Sequence, residues 1–417
     1  MSICGFDFGT SNSAIGIVNE GRAQLVDFGD DKVIRSAIFV DVEDEALCYG
    51  KTGIDDYLDG IPGRLIMSLK SVLGSSLMDE DTYINGAWIS YTEVLALLVR
   101  HIKERAEQAL DAPLRSVVLG RPVRFSDHDD ERDRKAEDTL RQIAYSVGFK
   151  HVEFQFEPVA AAVSFEADID TEQLCCVVDL GGGTADFSVI RIGPGRRSRN
   201  RAQDVLANHG VHIGGTDLDY HLSLATVMHS LGMGSTLRGS SSTIEMPSHY
   251  YHKLSRWHRI FDVYGGASHQ ALRDLFAISN DLPGLRRLQR VLEQRLGHQL
   301  LNQVEVCKQT LSDAPLATID MSYIEQGLSM QVERAQFIDS IAGQLSQLRA
   351  ALTETLRLAG VRTHEIDSAF LTGGTGLVPA VRNAMMDVLA PIELIARDPF
   401  TAVAHGLTLD AMQRFGR

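Results

Sequence analysis

The strongest constraint on this chain is a local pattern that occurs twice. Ile3-Cys4-Gly5-Phe6-Asp7-Phe8-Gly9-Thr10-Ser11-Asn12 runs into the apolar stretch Ala14-Ile15-Gly16-Ile17-Val18. Cys175-Cys176-Val177-Val178-Asp179-Leu180-Gly181-Gly182-Gly183-Thr184-Ala185-Asp186 runs into Phe187-Ser188-Val189-Ile190. Each copy reads as a strand, an Asp, a tight turn rich in Gly and hydroxyls, and a returning strand. Glycine lets the backbone approach a ligand closely, and the N–H groups of such a turn can cradle phosphate oxygens. The Asp offers a carboxylate to Mg²⁺, which takes oxygen ligands and keeps most of its waters. Either turn alone also fits an ordinary Gly-rich hairpin. Two copies with the Asp at the same offset point to a nucleoside triphosphate clamped from opposite sides.

At 417 residues the chain exceeds what one hydrophobic core usually supports, so two lobes are expected. A content of 44% hydrophobic and 23% charged residues is that of an ordinary globular protein. The formal charge of -15 argues against nucleic acid or an anionic membrane as a general partner. Cys4, Cys48, Cys175, Cys176 and Cys307 are scattered without paired zinc spacing, and three of them sit in apolar strand-like runs. Buried reduced thiols are therefore expected. No charged leader precedes an apolar segment and no apolar run approaches ~20 residues, so a cytoplasmic location is expected.

Strands are expected at Arg35–Val40, Val117–Leu119 and Ala369–Leu371. Thr92 to Leu110 has Val94, Leu95, Leu98, Ile102 and Ala109 on one side, which predicts a helix with Thr92 as N-cap. The polar segment Asp127 to Ser146 reads as another. Glu157-Pro158-Val159-Ala160-Ala161-Ala162 reads as a loop entering a helix, with Pro158 suited to the first position. Phe337 to Leu358 carries apolar residues in 3-and-4 steps at Ile338, Ile341, Leu345, Leu348, Leu352 and Leu356. It predicts one long amphipathic helix, capped by Gly360. A Gly-rich turn at Thr372–Gly376 leads into a helix near Pro379, and Asp398–Gly406 opens the last helix. This alternation implies layered α/β lobes.

Between His249 and His298 eight Lys/Arg stand against four acids, a net of +4 in an acidic chain. The stretch is either a solvated helical face or a contact surface for an acidic partner. The solvated face is the more usual reading, while Tyr250, Tyr251 and Trp257, with Arg286, Arg287 and Arg290 on nearly one helical face, have the composition of a contact surface. His249, His252 and His258 have no nearby carboxylates or Cys to complete a metal site.

With both turns, the Glu157-Pro158 segment and the late Gly-Gly turn in this order, the chain resembles the DnaK-type seventy-kilodalton heat-shock chaperones. It is nearest to the short bacterial DnaK-like chaperones of the YegD type. The likeness spans nearly the whole chain and falls on the family's nucleotide-binding domain. It implies a two-lobed α/β actin-like ATPase fold, with two similar lobes around an interlobe nucleotide cleft. Residues 1–173 would form lobe I and 174–392 lobe II, with a basic insertion at about 232–300. Residues 393–417 would return to lobe I as the C-terminal helix. No peptide-binding domain is expected, because the sequence stops after that helix.

The same resemblance implies ATP or ADP and Mg²⁺ as ligands and slow ATP hydrolysis driving a conformational switch. A protein partner or client of unknown identity would read that switch. Asp7 becomes an outer-shell Mg²⁺ ligand and Gly9, Thr10, Ser11 and Asn12 the first phosphate loop. Asp179, through water, is a second metal ligand, and Gly181, Gly182, Gly183 and Thr184 form the second loop. Lys70, by matching the family's Ala-Lys-Arg-Leu-Ile-Gly segment, would act on the γ-phosphate and orient the attacking water. From the sequence alone it is a surface Lys. Glu157 would hold metal-bound water and sense the γ-phosphate. Gly214, Gly215, Glu305, Lys308, Ser312, Gly373, Gly374 and Thr375 complete the nucleotide set.

The chain departs from the family where the base binds. Gln309 and Leu377 replace the two Arg whose planes sandwich adenine, and Phe400 replaces an acidic residue near the phosphates. A small-molecule kinase or a filament-forming actin relative on the same fold are the competing functions. The Glu157 and Glu305-x-x-Lys308 segments favour the chaperone family over both.

Overall fold

The computed structural model describes residues 2–29, 31–126, 129–166, 169–194, 203–238, 244–396 and 398–416. The chain forms two compact units, Met1–Gly215 with Leu345–Arg417, and Thr216–Gln344.

The first unit is built on two five-membered strand paths with one topology. In the first, the order across is His151–Phe156, Ser116–Arg121, Ile3–Phe8, Asn12–Asn19, Arg22–Leu25. In the second it is Leu394–Ala396, Ser368–Thr372, Gln173–Leu180, Ala185–Ile192, Val205–Val211. Both start as antiparallel hairpins and add two parallel strands on the far side of the first strand. In both hairpins the Asp pairs with the residue seven positions on, Asp7 with Ala14 and Asp179 with Asp186. Helix Tyr91–Leu110 precedes the first parallel strand of one path, and Ala342–Ala359 that of the other. Asp130–Ser146 and Pro379–Leu389 then join the parallel pairs, and Glu157–Glu166 and Ala402–Phe415 follow the last strands. Parallel strands carry helices on their faces, which explains why Cys175 to Leu180 is one unbroken buried run.

The C-terminal helix Ala402–Phe415 packs on the Glu157 helix and on strand Ile3–Phe8. Its approach depends on missing side chains. A Cβ on Gly5 would lie 2.1 Å from the Thr408 nitrogen, and one on Gly406 1.7 Å from the Ala160 carbonyl oxygen. Because both obstacles are backbone, Gly406→Ala is expected to lower stability by about 1–3 kcal/mol. A urea midpoint equal to wild type would contradict this helix crossing.

Several local expectations are corrected. The N-cap of Tyr91–Leu110 is Ser90, not Thr92, in a reciprocal capping box with Glu93. The buried stripe ends on Ala106, and Ala109 is exposed. The start of the Asp127–Ser146 span lies outside the described residues, and the helix runs Asp130–Ser146. Helix Glu157–Glu166 starts at Glu157 itself, so Pro158 is its second residue. The long helix expected from Phe337 breaks at Ile341 into Arg334–Ser340 and Ala342–Ala359. The Ser340 hydroxyl donates to the Phe337 carbonyl at 2.7 Å, and the Ile341 N–H splits between Phe337 and Ile338. A side-chain hydroxyl competing for the helix's own acceptor accounts for the break. Gly360 does end the second piece, at φ 68°.

In the second unit, the aromatics read as contact surface are core. Tyr250, Tyr251 and Trp257 are 1%, 0% and 5% exposed. Helix Leu282–Glu293, capped by Asp281, turns Leu285, Leu288 and Leu292 inward. Arg287 grips both oxygens of Glu325 at 2.7 and 3.0 Å, and Arg290 donates to the Ile324 carbonyl. Two of the three arginines therefore fasten this helix to its own unit. Arg286 is exposed. Part of the Gly- and Ser-rich stretch 232–243 lies outside the described residues.

Candidate active site

The two hairpin turns face one another. A Cβ on Gly182 would stand 2.2 Å from the Ser11 Oγ, and one on Gly183 2.7 Å from the Thr10 Oγ1. Glycine is required here because the opposing turn occupies the place of a side chain. Both turns are braced. The Gly9 N–H donates to the Ser13 Oγ at 3.3 Å, and the Ser36 Oγ, 2.9 Å from that of Ser13, donates to the Gly9 carbonyl at 2.8 Å. The Gly181 N–H donates to the Thr184 carbonyl at 2.9 Å. The Gly181 carbonyl accepts from the Gly215 N–H at 3.1 Å and the Thr375 Oγ1 at 2.7 Å.

One cavity collects most of the expected residues: Asp7, Gly9, Thr10, Ser11, Asn12, Lys70, Glu157, Asp179, Gly181, Gly182, Gly183, Thr184, Gly373 and Gly374. Gly214, Gly215 and Thr375 support the second turn from behind. A Cβ on Gly214 would lie 2.3 Å from the Gly183 nitrogen. Gly373 adopts φ 82°, with its N–H donating to the Pro399 carbonyl at 2.7 Å. Glu305, Lys308 and Ser312 stand on helix Gly297–Asp313 of the second unit. There Lys308 pairs with the buried Asp219 at 2.7 Å, and the Ser312 hydroxyl returns to the Lys308 carbonyl at 3.3 Å.

Lys70 is not the surface residue its sequence context indicates. It lies in a single 3-10 turn, Leu69–Val72, entered through Ser68 at φ 58°, and is 9% exposed. Its Nζ donates to the Glu157 Oε1 at 2.6 Å, and both side chains are buried. Burial alone would lower the Lys70 pKa, but the charges of Glu157 and Asp7 overcome it and hold the ammonium above its ordinary value. Burial, then Glu157, pushes Asp7 up to about 7 against the pull of Lys70. Asp179 is raised well above the usual carboxylate range by burial, with Glu157, Asp186 and Asp7 adding to it. Asp186 also rises to about 7, through burial and then Glu157, although hydrogen bonds from Thr184 and Val123 oppose the shift.

Sequence reasoning matched Asp186 to the second turn without giving it a role, named Phe400 only as a departure near the phosphates, and left out Thr372, Pro399 and Val403. The last four line the cavity. Asp186 carried a signal, because it faces Asp179 in a hairpin register the repeated motif implies. Thr372 and Pro399 carried none, since only the fold brings the Gly373 turn to the start of the C-terminal helix.

Twin hairpin sheets whose glycine turns meet over buried carboxylates and one buried lysine define an actin-like ATPase fold. A sequence model of the family described as Hsp70 protein matches residues 65–230 and 279–413, well over half the chain. Similar curated proteins include the chaperone protein HscA homolog of Pseudoalteromonas atlantica, 25% identical over 428 residues. Another is the chaperone protein HscA of Yersinia enterocolitica, 27% identical over 434 residues. In each case the match covers 98% of this chain and 57% of the relative, so the chain spans little more than half their length. This chain belongs to the Hsp70 family. Among the described residues no helix is long and apolar enough to cross a membrane.

Proposed function

We propose that this chain binds Mg²⁺-ATP at the facing turns, hydrolyses it slowly, and uses the exchange of ATP for ADP as a conformational switch read by a protein partner. The observation that carries this reading is the buried Lys70–Glu157 pair in a cavity walled by two glycine turns and the carboxylates of Asp7 and Asp179. Among the described residues no three His, Cys, Asp or Glu side chains converge closely enough to ligate an ion directly. Separated carboxylates suit a hydrated divalent cation, held through its waters by Asp7, Asp179 and Glu157. Bound Mg²⁺ would neutralise phosphate charge. The N–H groups of Gly9 to Ser11 and Gly181 to Gly183 would hold the phosphates, with the hydroxyls of Thr10, Ser11 and Thr184 adding donors. Lys70 would stabilise charge on the transferred phosphoryl group and orient the attacking water, and Glu157 would keep Lys70 aligned.

In this reading residues 1–173 and 174–392 act as the two lobes and 393–417 return to the first. Free thiols, four of the five buried, suit a reducing compartment, and we assign the protein to the cytoplasm. The test is phosphate release from Mg²⁺-ATP with contaminating activity excluded. Hydrolysis that needs Mg²⁺ is the expected result, and no release under any Mg²⁺ condition would end the ATPase reading.

Base recognition should be weak. Leu377 is 50% exposed, and Gln309 is exposed and turned to its own helix neighbour Glu305 at 3.4 Å. Neither supplies the planar cation that stacks on a purine. Phe400 is 40% exposed, and its ring lies where a Cβ on Gly374 would be, 2.5 Å from the Cε1. ATP and GTP are expected to compete within about tenfold, Leu377→Arg to tighten ATP, and Phe400→Ala to weaken both nucleotides several-fold. Strong native preference for ATP, indifferent to both changes, would show that other residues read the base.

A further inference from the structure

We infer that the outward face of the hairpin Asp81–Ile84 and Ala87–Ser90 is a docking site for an arginine- or lysine-bearing segment of a partner protein. The hairpin is tightly specified. Asn85-Gly86 forms a two-residue turn with both φ positive, 45° and 82°, which sets Tyr83 opposite Trp88. Thr82 and Ile84 turn inward and are buried, so alternation sends Asp81, Tyr83 and Trp88 outward. Tyr83 and Trp88 are 56% and 71% exposed and meet edge to face at 5.6 Å. Single exposed apolar residues need no explanation, but a paired Tyr and Trp on a rigid strand surface form a preorganised aromatic platform.

The surroundings select the partner's charge. Asn85 Nδ2 donates to the Glu45 carbonyl at 2.6 Å, which fastens the hairpin tip to the exposed acidic loop Glu43–Glu45. That loop is shaped in turn by Asp41, whose Oδ1 accepts from the N–H groups of Glu43 and Asp44 at 2.8 and 3.1 Å. At the other end Asp79 is paired with Lys135 at 2.6 Å, while Asp81 projects on the same strand face as Tyr83. Arg64 donates to the Thr82 hydroxyl and the Tyr91 phenol, which anchors its guanidinium at the hairpin base, whereas Tyr83 and Trp88 point outward. An aromatic face bordered by carboxylates attracts a guanidinium or ammonium by cation–π and Coulomb terms together. A second copy of this chain, at -15, is disfavoured by like charge, and so is an anionic lipid surface.

Only Trp88 and Trp257 could report by fluorescence, and Trp257 is buried, so a change in emission on ligand binding reports Trp88. The probe is a short Gly-spaced peptide with four arginines, titrated into the full chain, with binding followed also by anisotropy of a labelled copy. Saturable binding is expected, with a change in tryptophan emission and loss of affinity as salt rises. Trp88→Ala should weaken it at least fivefold and Asp81→Asn two- to threefold, with melting curves unchanged because both side chains are exposed. Trp88→Phe should retain most of the affinity. Equal affinity for wild type and Trp88→Ala would mean that the peptide answers only to net charge, and would overturn the assignment. A wild-type dimer in sedimentation that Trp88→Ala converts to monomer would overturn it too, by giving the face to a second copy.

Discussion

Changing Lys70 to Ala is expected to cut ATP turnover by about 100-fold or more while nucleotide affinity changes only several-fold. Among the described residues lining the cavity, Lys70 is the sole Lys or Arg. A fixed donor aimed at developing charge in a site shielded from water accounts for about 10²–10³ in rate. Ground-state binding survives because the turn N–H groups and the metal carboxylates remain, so the loss should fall on kcat. The same change strands Glu157, which is 7% exposed and hydrogen-bonded to Lys70. Leaving a buried charge without its partner costs about 3–5 kcal/mol unless the group takes up a proton. Lys70→Ala should therefore lose more stability at pH 8 than at pH 5. Adding Glu157→Gln should restore the melting temperature but not the turnover. Phosphate-release assays and thermal melts at the two pH values separate the effects, and normal turnover in Lys70→Ala would remove Lys70 from the chemistry.

The second large effect is a pH dependence of the nucleotide-free protein. Asp7 and Asp186 titrate near 7 in the folded chain against 3.8 when unfolded, because burial and Glu157 disfavour their charged forms. Between about pH 4 and 7 the native state thus holds protons that the unfolded chain has released. Stability from these groups is full below about pH 4 and is lost as pH rises through 7, at about 1.4 kcal/mol per pH unit for each proton involved. In chelator and without nucleotide, melting should fall from pH 5 to pH 8. Asp186→Asn keeps an oxygen for the Val123 N–H and removes the charge. It should match wild type only near pH 4 and below, melt somewhat higher at pH 5 and several degrees higher at pH 8, with a flatter profile. A variant that melts lower at both pH values would show that Asp186 is held ionised and stabilising.

The duplicated hairpin was legible because each of its parts is local. Apolar strands, an Asp at a fixed offset and turn glycines all sit within a dozen residues, and the register that opposes Asp179 to Asp186 follows from the turn. Lys70 was legible only through the family resemblance, since its burial depends on a 3-10 turn packed into a core assembled from distant strands. Composition misled at Tyr250, Tyr251 and Trp257. Aromatics among cations describe a partner surface and a locally folded helical unit equally well, and burial is decided by the rest of the unit. The break at Ile341 was hidden for the opposite reason. The 3-and-4 spacing continues through it, while one serine hydroxyl diverts the hydrogen bond that continuity needs. Asp186 was visible as a letter of the motif, but its raised pKa comes from burial and then from Glu157, on the helix that follows the other sheet.

Calorimetric titration of wild type and Gly181→Ala with ATP, with Mg²⁺ and with chelator, tests the central claim most directly. A Cβ on Gly181 meets only the Thr184 carbonyl, at 3.4 Å, so the variant should fold normally while placing a methyl group in the cavity wall. Wild type is predicted to bind ATP at one site, at least tenfold more tightly with Mg²⁺. Gly181→Ala should melt like wild type and lose most of that affinity. Equal ATP binding by a normally folded Gly181→Ala protein, or wild-type binding indifferent to Mg²⁺, would contradict phosphate recognition between the two turns.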